Sequence, residues 1–157
     1  MSGDPESAGD ILRCYLAGLA FRFRHVTDGT SAEFGDIDAG NGVRVPREIV
    51  RHMTGLVLLA HDQFEEKAGG VLQPLAWQEE RERFIDAVWT FYRVTETGDR
   101  LRPGRRMASL AQVWHGPLTD LMTHVGQLAT LRRLAGDPVE PIRYWQAEPP
   151  GPPDIEH

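Results

Sequence analysis

The chain is best understood from one stretch, Gly116-Pro-Leu-Thr-Asp-Leu-Met-Thr-His-Val-Gly-Gln-Leu-Ala-Thr-Leu-Arg-Arg-Leu-Ala-Gly136. At about 100° per residue, its apolar positions fall on one side of a helix. Asp120 and His124 project into that side or directly beside it, one turn apart. Because an uncompensated buried charge costs several kcal/mol, we expect this pair to be hydrogen-bonded, ion-paired or bound to a metal. The apolar positions, including one upstream, are Val113, Pro117, Leu121, Leu128 and Leu131.

Length and composition favour a single globular domain. The chain has 157 residues, of which 41% are hydrophobic, and this suits one domain with one core. No apolar run approaches the roughly 20 residues of a membrane span. The formal net charge of −6 argues against a general role in binding nucleic acid, which draws on a basic excess.

Cysteine usage and the polar N-terminal stretch favour a cytoplasmic protein. Met-Ser-Gly-Asp-Pro-Glu-Ser at the start lacks the basic and apolar segments of a signal peptide. The single cysteine, Cys14, excludes an intramolecular disulfide and a cysteine-rich zinc site. Its apolar sequence context is more typical of a buried thiol than of a nucleophile.

Four segments have the period of amphipathic helices, and the sequence therefore predicts an all-α four-helix bundle. Thr27–Val45 is expected to form a long loop after helix one, and Gly116-Pro117 either kinks the fourth segment or restarts its helix. The single domain spans 1–157, with a core over about 10–136 and an extended, proline-rich tail over 137–157. The predicted helices run from Asp10 as N-cap to about Val26, from Pro46 to just before Gly69-Gly70, from Leu75 or Trp77 to Glu96 before Gly98, and from near Met107 to Gly136.

Two predicted helices carry polar residues suited to metal binding. His52 lies about 60° from Ile49 around helix two and can lean into the bundle, with Glu48 one turn earlier. Asp120 and His124 come from helix four. Two histidines and one or two carboxylates suit a divalent metal with open coordination positions, since bundle interiors commonly hold metals. A hydrogen-bonded Asp–His pair with a structural role is the alternative.

The remaining polar candidates have weaker patterns. His61 follows His52 by nine residues, which places it on the opposite side of helix two and predicts surface exposure. His115 precedes the Gly-Pro break and either caps the helix or approaches the mouth of the site. His25 lies at the end of helix one. Gln127, one turn after His124, is expected to bond another helix or to orient that imidazole.

The 116–136 stretch resembles the last helix of the DinB/YfiT-like superfamily, where a histidine is followed by x-Gly-Gln-Leu, then Leu-Arg and a terminal glycine. Pro46-Arg-Glu-Ile-Val-Arg-His-Met53 resembles the first metal-ligand helix of that family. The likeness spans roughly residues 10–145. It implies a four-helix bundle, often dimeric, in which three histidines hold a divalent metal. His52 matches the first of these histidines and His124 the last, whereas Asp120 stands where the family has the middle one.

The resemblance also implies a range of chemistry for the site. Family members use zinc or nickel, and aspartate as a ligand shifts the preference toward zinc, iron or manganese. Characterised members are transferases or isomerases that depend on low-molecular-weight thiols, so a thiol S-transferase acting on a small molecule as a homodimer is expected. Glu48 would support the ligands or join them, and Arg47 or Arg51 would hold a carboxylate of the thiol.

Two other functions use the same residues. A hydrolase would use metal-bound water instead of a thiol. A non-enzymatic bundle would use His52, Asp120 and His124 as a core hydrogen-bond network that serves dimerisation or the binding of a small ligand.

Overall fold

The computed structural model describes residues 7–65, 70–97, 101–102 and 106–154, and all regular structure in these ranges is helical. The all-α prediction is therefore confirmed for the described part of the chain. None of the helices described is both long and apolar enough to cross a membrane. The four long helices are α1 (Ala8–Thr27), α2 (Pro46–His61), α3 (Trp77–Thr97) and α5 (Thr119–Leu134), with a short α4 (Leu110–Val113) before the last.

The long helices pack in a ring. Helix α1 contacts α3 and α5, and α2 contacts the same two helices, an arrangement typical of a four-helix bundle. The aromatic rings of Phe23, Phe84 and Phe91 lie fully buried inside. The predicted apolar stripe of the last segment is confirmed, because every position named for it is buried: Val113, Pro117, Leu121, Leu128 and Leu131.

Helix α1 begins earlier than predicted, since Ser7 rather than Asp10 is its N-cap. The Ser7 hydroxyl accepts a bond from the Asp10 amide at 3.1 Å, and the Asp10 carboxylate accepts one from the Ser7 amide at 3.0 Å. This reciprocal capping box places Asp10 inside the first turn. Residues 1–6 lie outside the described part of the chain.

Helix α2 ends at His61 and does not extend toward Gly69-Gly70, so the predicted length was wrong. The Gln63 side chain donates to the Leu59 carbonyl at 2.8 Å and accepts from the Met107 amide at 3.2 Å. This buried amide satisfies one of the carbonyls left open at a helix end and ties the turn to the later chain. Residues 66–69, Gly98 that was predicted to follow the third helix, and residues 99–100 and 103–105 lie outside the described residues.

The segment between α1 and α2 contains a short 3₁₀ turn, Ala32–Asp36, packed against the start of α3. The buried Phe34 ring lies 5.4 Å from the Trp77 ring in an edge-to-face arrangement. The Trp77 indole donates to the Thr30 hydroxyl at 2.9 Å. These contacts pack the segment between α1 and α2 against the first turn of α3.

The chain after α5 is held by the buried guanidinium of Arg132. It donates to the Val26 and Asp28 carbonyls at the end of α1, at 2.9 Å each, and to the Asp137 carboxylate at 2.9 Å. Gly136 has a φ of +82°, which confirms the predicted glycine stop. Further along, the Tyr144 ring lies 3.9 Å from the Arg22 guanidinium carbon, against α1.

We predict opposite effects for two glycine-to-alanine substitutions. A Cβ at position 35 would lie 2.6 Å from the Trp77 Cβ, so G35A should lower the free energy of unfolding by about 1–3 kcal/mol. The control is G18A within α1, where a Cβ meets no atom within 4 Å, and it should stabilise by about 0.5–1 kcal/mol. Urea denaturation measures both. Equal effects would contradict the packing described for Gly35.

Candidate metal centre

The contact between α2 and α5 brings together the three residues that the sequence predicts as ligands. His52 Nε2 lies 3.7 Å from one carboxylate oxygen of Asp120, and His124 Nε2 lies 3.5 Å from the other. The two imidazole centroids are 4.9 Å apart, with the rings nearly perpendicular at 89°. One donor atom from each residue lies within 4.8 Å of the other two. The group can hold a metal ion.

The cluster lies at the edge of the core and not within it, which corrects the expectation of an interior pair. The side chains of Asp120, His52 and His124 are 46%, 37% and 14% exposed. At about 100° per residue, Asp120 lies about 80° from the centre of the buried face of α5 and His124 about 40°. The carboxylate therefore reaches the solvent while the His124 imidazole stays mostly covered.

Gln127 contacts the His124 imidazole and orients it, which is the second of the two roles predicted for this residue. The His124 Nδ1 and the Gln127 side-chain oxygen are 2.9 Å apart. Because that oxygen only accepts, Nδ1 carries the proton, and in the neutral ring Nε2 presents a lone pair. That lone pair faces a carboxylate oxygen, which is also an acceptor. The arrangement is complete only when a proton or a metal cation lies between the two atoms.

The surroundings of the His52 imidazole favour its neutral form. Burial lowers the pKa of His52 from its ordinary value, and the nearby His124 and Arg44 lower it further, while the Asp120 carboxylate opposes them. Neutral imidazole is the form that binds metal ions. The His52 ring therefore stays competent as a ligand at a lower pH than a free histidine would.

A cavity of about 380 Å³ opens beside the cluster, with Asp120 in its wall. His115 lines the same cavity, which places it near the site mouth, the second of its two predicted positions. The chain bends at Gly116, whose φ of −87° and ψ of −109° are not helical, and a π-helical turn carries it into α5. The kinked alternative predicted for Gly116-Pro117 is therefore the one observed.

The surface position predicted for His61 was wrong, because its side chain is fully buried. Its ring stacks on Phe91 with centroids 5.4 Å apart. His61 is indeed opposite His52 on α2, but the buried face centres between Met53 and Val57. His61 lies about 60° from that centre and His52 about 120°, so His61 is the more interior of the two.

Several other candidates lie away from the cluster. Cys14 is exposed on α1, so the expectation of a buried thiol was wrong. Arg47 Nε lies 2.7 Å from an Asp36 carboxylate oxygen. The guanidinium of Arg47 is therefore ion-paired with Asp36. His25 bonds the Glu140 carbonyl at 2.9 Å and serves the packing of the tail. The group of three ligands does not include Glu48.

Sequence reasoning missed Arg44, Thr119 and Thr123. Arg44 acts on the charge of His52, and the two threonines line the cavity next to Asp120. The threonines had a detectable signal, since positions 119 and 123 are one turn apart on the side of α5 that carries Asp120. Arg44 lies before α2 begins at Pro46. Helical periodicity applies only within a helix, so it does not predict where the Arg44 side chain points.

The chain matches no protein-family model, no curated protein and no solved structure. The likeness to DinB-like proteins therefore stays a prediction from the residues quoted above.

We predict that Gln127 fixes the tautomer of His124. In long-range ¹H–¹⁵N spectra, the His124 ring of the wild type should show a protonated Nδ1, and Q127A should lose this preference because the acceptor is gone. Q78A, on the exposed side of α3, is the matched control and should leave the His124 signals unchanged. Identical His124 spectra in wild type and Q127A would contradict the assignment.

Proposed function

We propose that this protein is a divalent-metal-dependent enzyme of the DinB-like type, a thiol S-transferase or a related enzyme. The proposal includes the four-helix bundle with a long loop after α1 and a proline-rich tail, a small-molecule substrate, and a cytoplasmic homodimer. Its main support is that His52, Asp120 and His124 present donor atoms within 4.8 Å of one another beside a cavity that a small molecule can enter.

The donor set suits a catalytic ion better than a structural one. Two imidazole nitrogens and one carboxylate leave coordination positions open. The exposed edge of the cluster, where Asp120 is 46% exposed, supports access for a further ligand. Two nitrogens with one oxygen are compatible with zinc, iron, manganese or nickel. These three donors thus favour a catalytic metal site but do not select one metal.

The chain's own residues have separable roles in this proposal. His52, Asp120 and His124 would hold the ion, and Gln127 keeps Nε2 of His124 available to it. When bound, the ion would lower the pKa of a coordinated thiol or water and so supply a nucleophile near neutral pH. The cavity beside Asp120 would position the second reactant. Thiol transfer and hydrolysis differ only in which nucleophile enters.

The spacing of the cluster is compatible with an ion held between its three side chains. Hydrogen bonds from nitrogen to oxygen are about 2.7–3.2 Å long, whereas the two imidazole–carboxylate distances are 3.5 and 3.7 Å. Separations of this size leave room for an ion to draw the ligands together.

We predict that protein purified without a nickel column contains near-stoichiometric divalent metal by elemental analysis. H124A and H52A should lose it, because each removes an imidazole from a set of three donors. A chelator should lower the Tm of the wild type by about 5–10 °C, as expected when a ligand present at about 100 times its Kd is removed. H25A, which removes an imidazole outside the cluster, is the control and should keep the metal. Metal-poor wild type with an unchanged Tm would reject the proposal.

We also predict that D120H gains affinity for nickel and zinc. This substitution creates the His-x-x-x-His pair of the resembled family, and imidazole suits these metals. Isothermal titration calorimetry with each metal measures the change, and D120N is the control, because its amide should weaken binding by about tenfold or more. Weaker nickel binding in D120H than in D120N would show that position 120 is not a ligand.

A further inference from the structure

The turn that leads into α5 interrupts the regular helix just before the candidate metal ligands. It spans Trp114–Leu118, has a π-helical form, and contains Gly116 with non-helical dihedral angles. Pro117 has no amide hydrogen, so it cannot donate the bond that a residue at this position of a helix would make. Because Asp120 follows the turn by two residues, its position depends on how firmly the turn is held.

Tyr15 of α1 contacts this turn at both of its ends. Its hydroxyl donates to the carbonyl of Leu118, the last residue of the turn. Its ring packs edge-on against the ring of Trp114, the first residue, with centroids 5.1 Å apart and an angle of 79° between the planes. Burial raises the pKa of Tyr15, so the hydroxyl keeps the proton that it donates. One side chain thus ties the whole turn to α1.

Helix α5 is bonded to α1 by a side chain near each of its ends. At the far end, the buried guanidinium of Arg132 donates to two carbonyls at the end of α1, at 2.9 Å each. Arg132 follows His124 by eight residues, which is more than two helical turns. Leu118, in contrast, precedes Asp120 by two residues. The bond from Tyr15 is therefore the one that is close to the ligands.

The same turn contacts α2, the helix that supplies His52. Leu56 of α2 and Pro117 of the turn share the wall of the cavity with Asp120. The turn is thus packed between α2 and Tyr15 of α1, and a shift of the turn would move Asp120 relative to His52. Because the distances from a metal to its ligands vary by only about 0.2 Å around their usual values, such a shift would weaken a shared ion.

We infer that Tyr15 is a positioning residue of the metal centre, which acts through the Leu118 carbonyl to hold Asp120 where it can share an ion with His52. The inference rests on the proposed metal-dependent function. It goes beyond that function by giving a role in the site to α1, a helix that supplies none of the three ligands. The hydroxyl of Tyr15 is the essential group, because it bonds the backbone next to Asp120.

The experiment measures cobalt binding to the wild type and to Y15F, which keeps the ring against Trp114 and removes only the hydroxyl. Y15F should raise the Kd for cobalt by about three- to tenfold, at or below the lower end of the effects of residues that bond a ligand directly, because Tyr15 acts through the backbone. The d–d absorption bands of the bound cobalt should also shift, since they report the arrangement of the ligands. A loss of stability alone would not move these bands.

Two control variants separate positioning from general effects. Y92F removes a hydroxyl from a half-buried tyrosine of α3, whose ring packs against Trp89. G35A lowers the free energy of unfolding through its contact with Trp77, as predicted above. Both variants should keep the Kd and the d–d bands of the wild type at a temperature at which they are folded.

A third variant tests whether the hydrogen bond itself is responsible. Replacement of Tyr15 by 4-aminophenylalanine keeps a donor at the same position of the ring and should restore the wild-type Kd and bands. Failure of this rescue, equal changes in Y15F and G35A, or an unchanged Kd and spectrum in Y15F would overturn the role of Tyr15 and leave the metal site intact. Failure of the wild type to bind cobalt would overturn the proposed function, and this inference with it.

Discussion

The packing of α2 against α5 is the constraint on which the site depends, because neither helix supplies all the donors. This packing brings the His52 ring within 4.9 Å of the His124 ring and places the Asp120 carboxylate 3.5–3.7 Å from both Nε2 atoms. With Gln127 holding the proton on the far nitrogen of His124, two acceptors face each other. Electrostatics then favours a positive charge between them, and this is the physical basis for treating the cluster as a cation site.

The parts of the site that lie within one helix could be predicted from sequence. The helical period is fixed by backbone geometry, so residues three and four apart must share a face. That alone places Asp120 beside His124 and Gln127 within reach of the same ring. The buried stripe from Val113 to Leu131 follows for the same reason. The meeting of His52 with this pair required two more assumptions, that the helices form one bundle and that α2 and α5 are neighbours.

The errors arose where a distant contact overrides local pattern. Helix α2 ends where the Gln63 amide bonds Met107, a partner from beyond the next helix that no local window can show. The nine-residue spacing predicts the position of His61 only relative to His52, whereas the packing partners of α2 define the centre of its buried face. The bend at Gly116 is signalled by Gly-Pro, but the non-helical dihedral angles that it adopts are set by tertiary structure.

The metal-binding side chains of the cluster come from α2 and α5, which are far apart in the sequence, with α3 between them. An ion shared by His52 and His124 would act as a cross-link that closes a loop of roughly seventy residues, and the entropy of such a closure depends only weakly on loop length. The unfolded chain has no such arrangement of ligands, so loading of the ion would be coupled to assembly of the bundle. Release of the ion would in turn report the separation of α2 from α5.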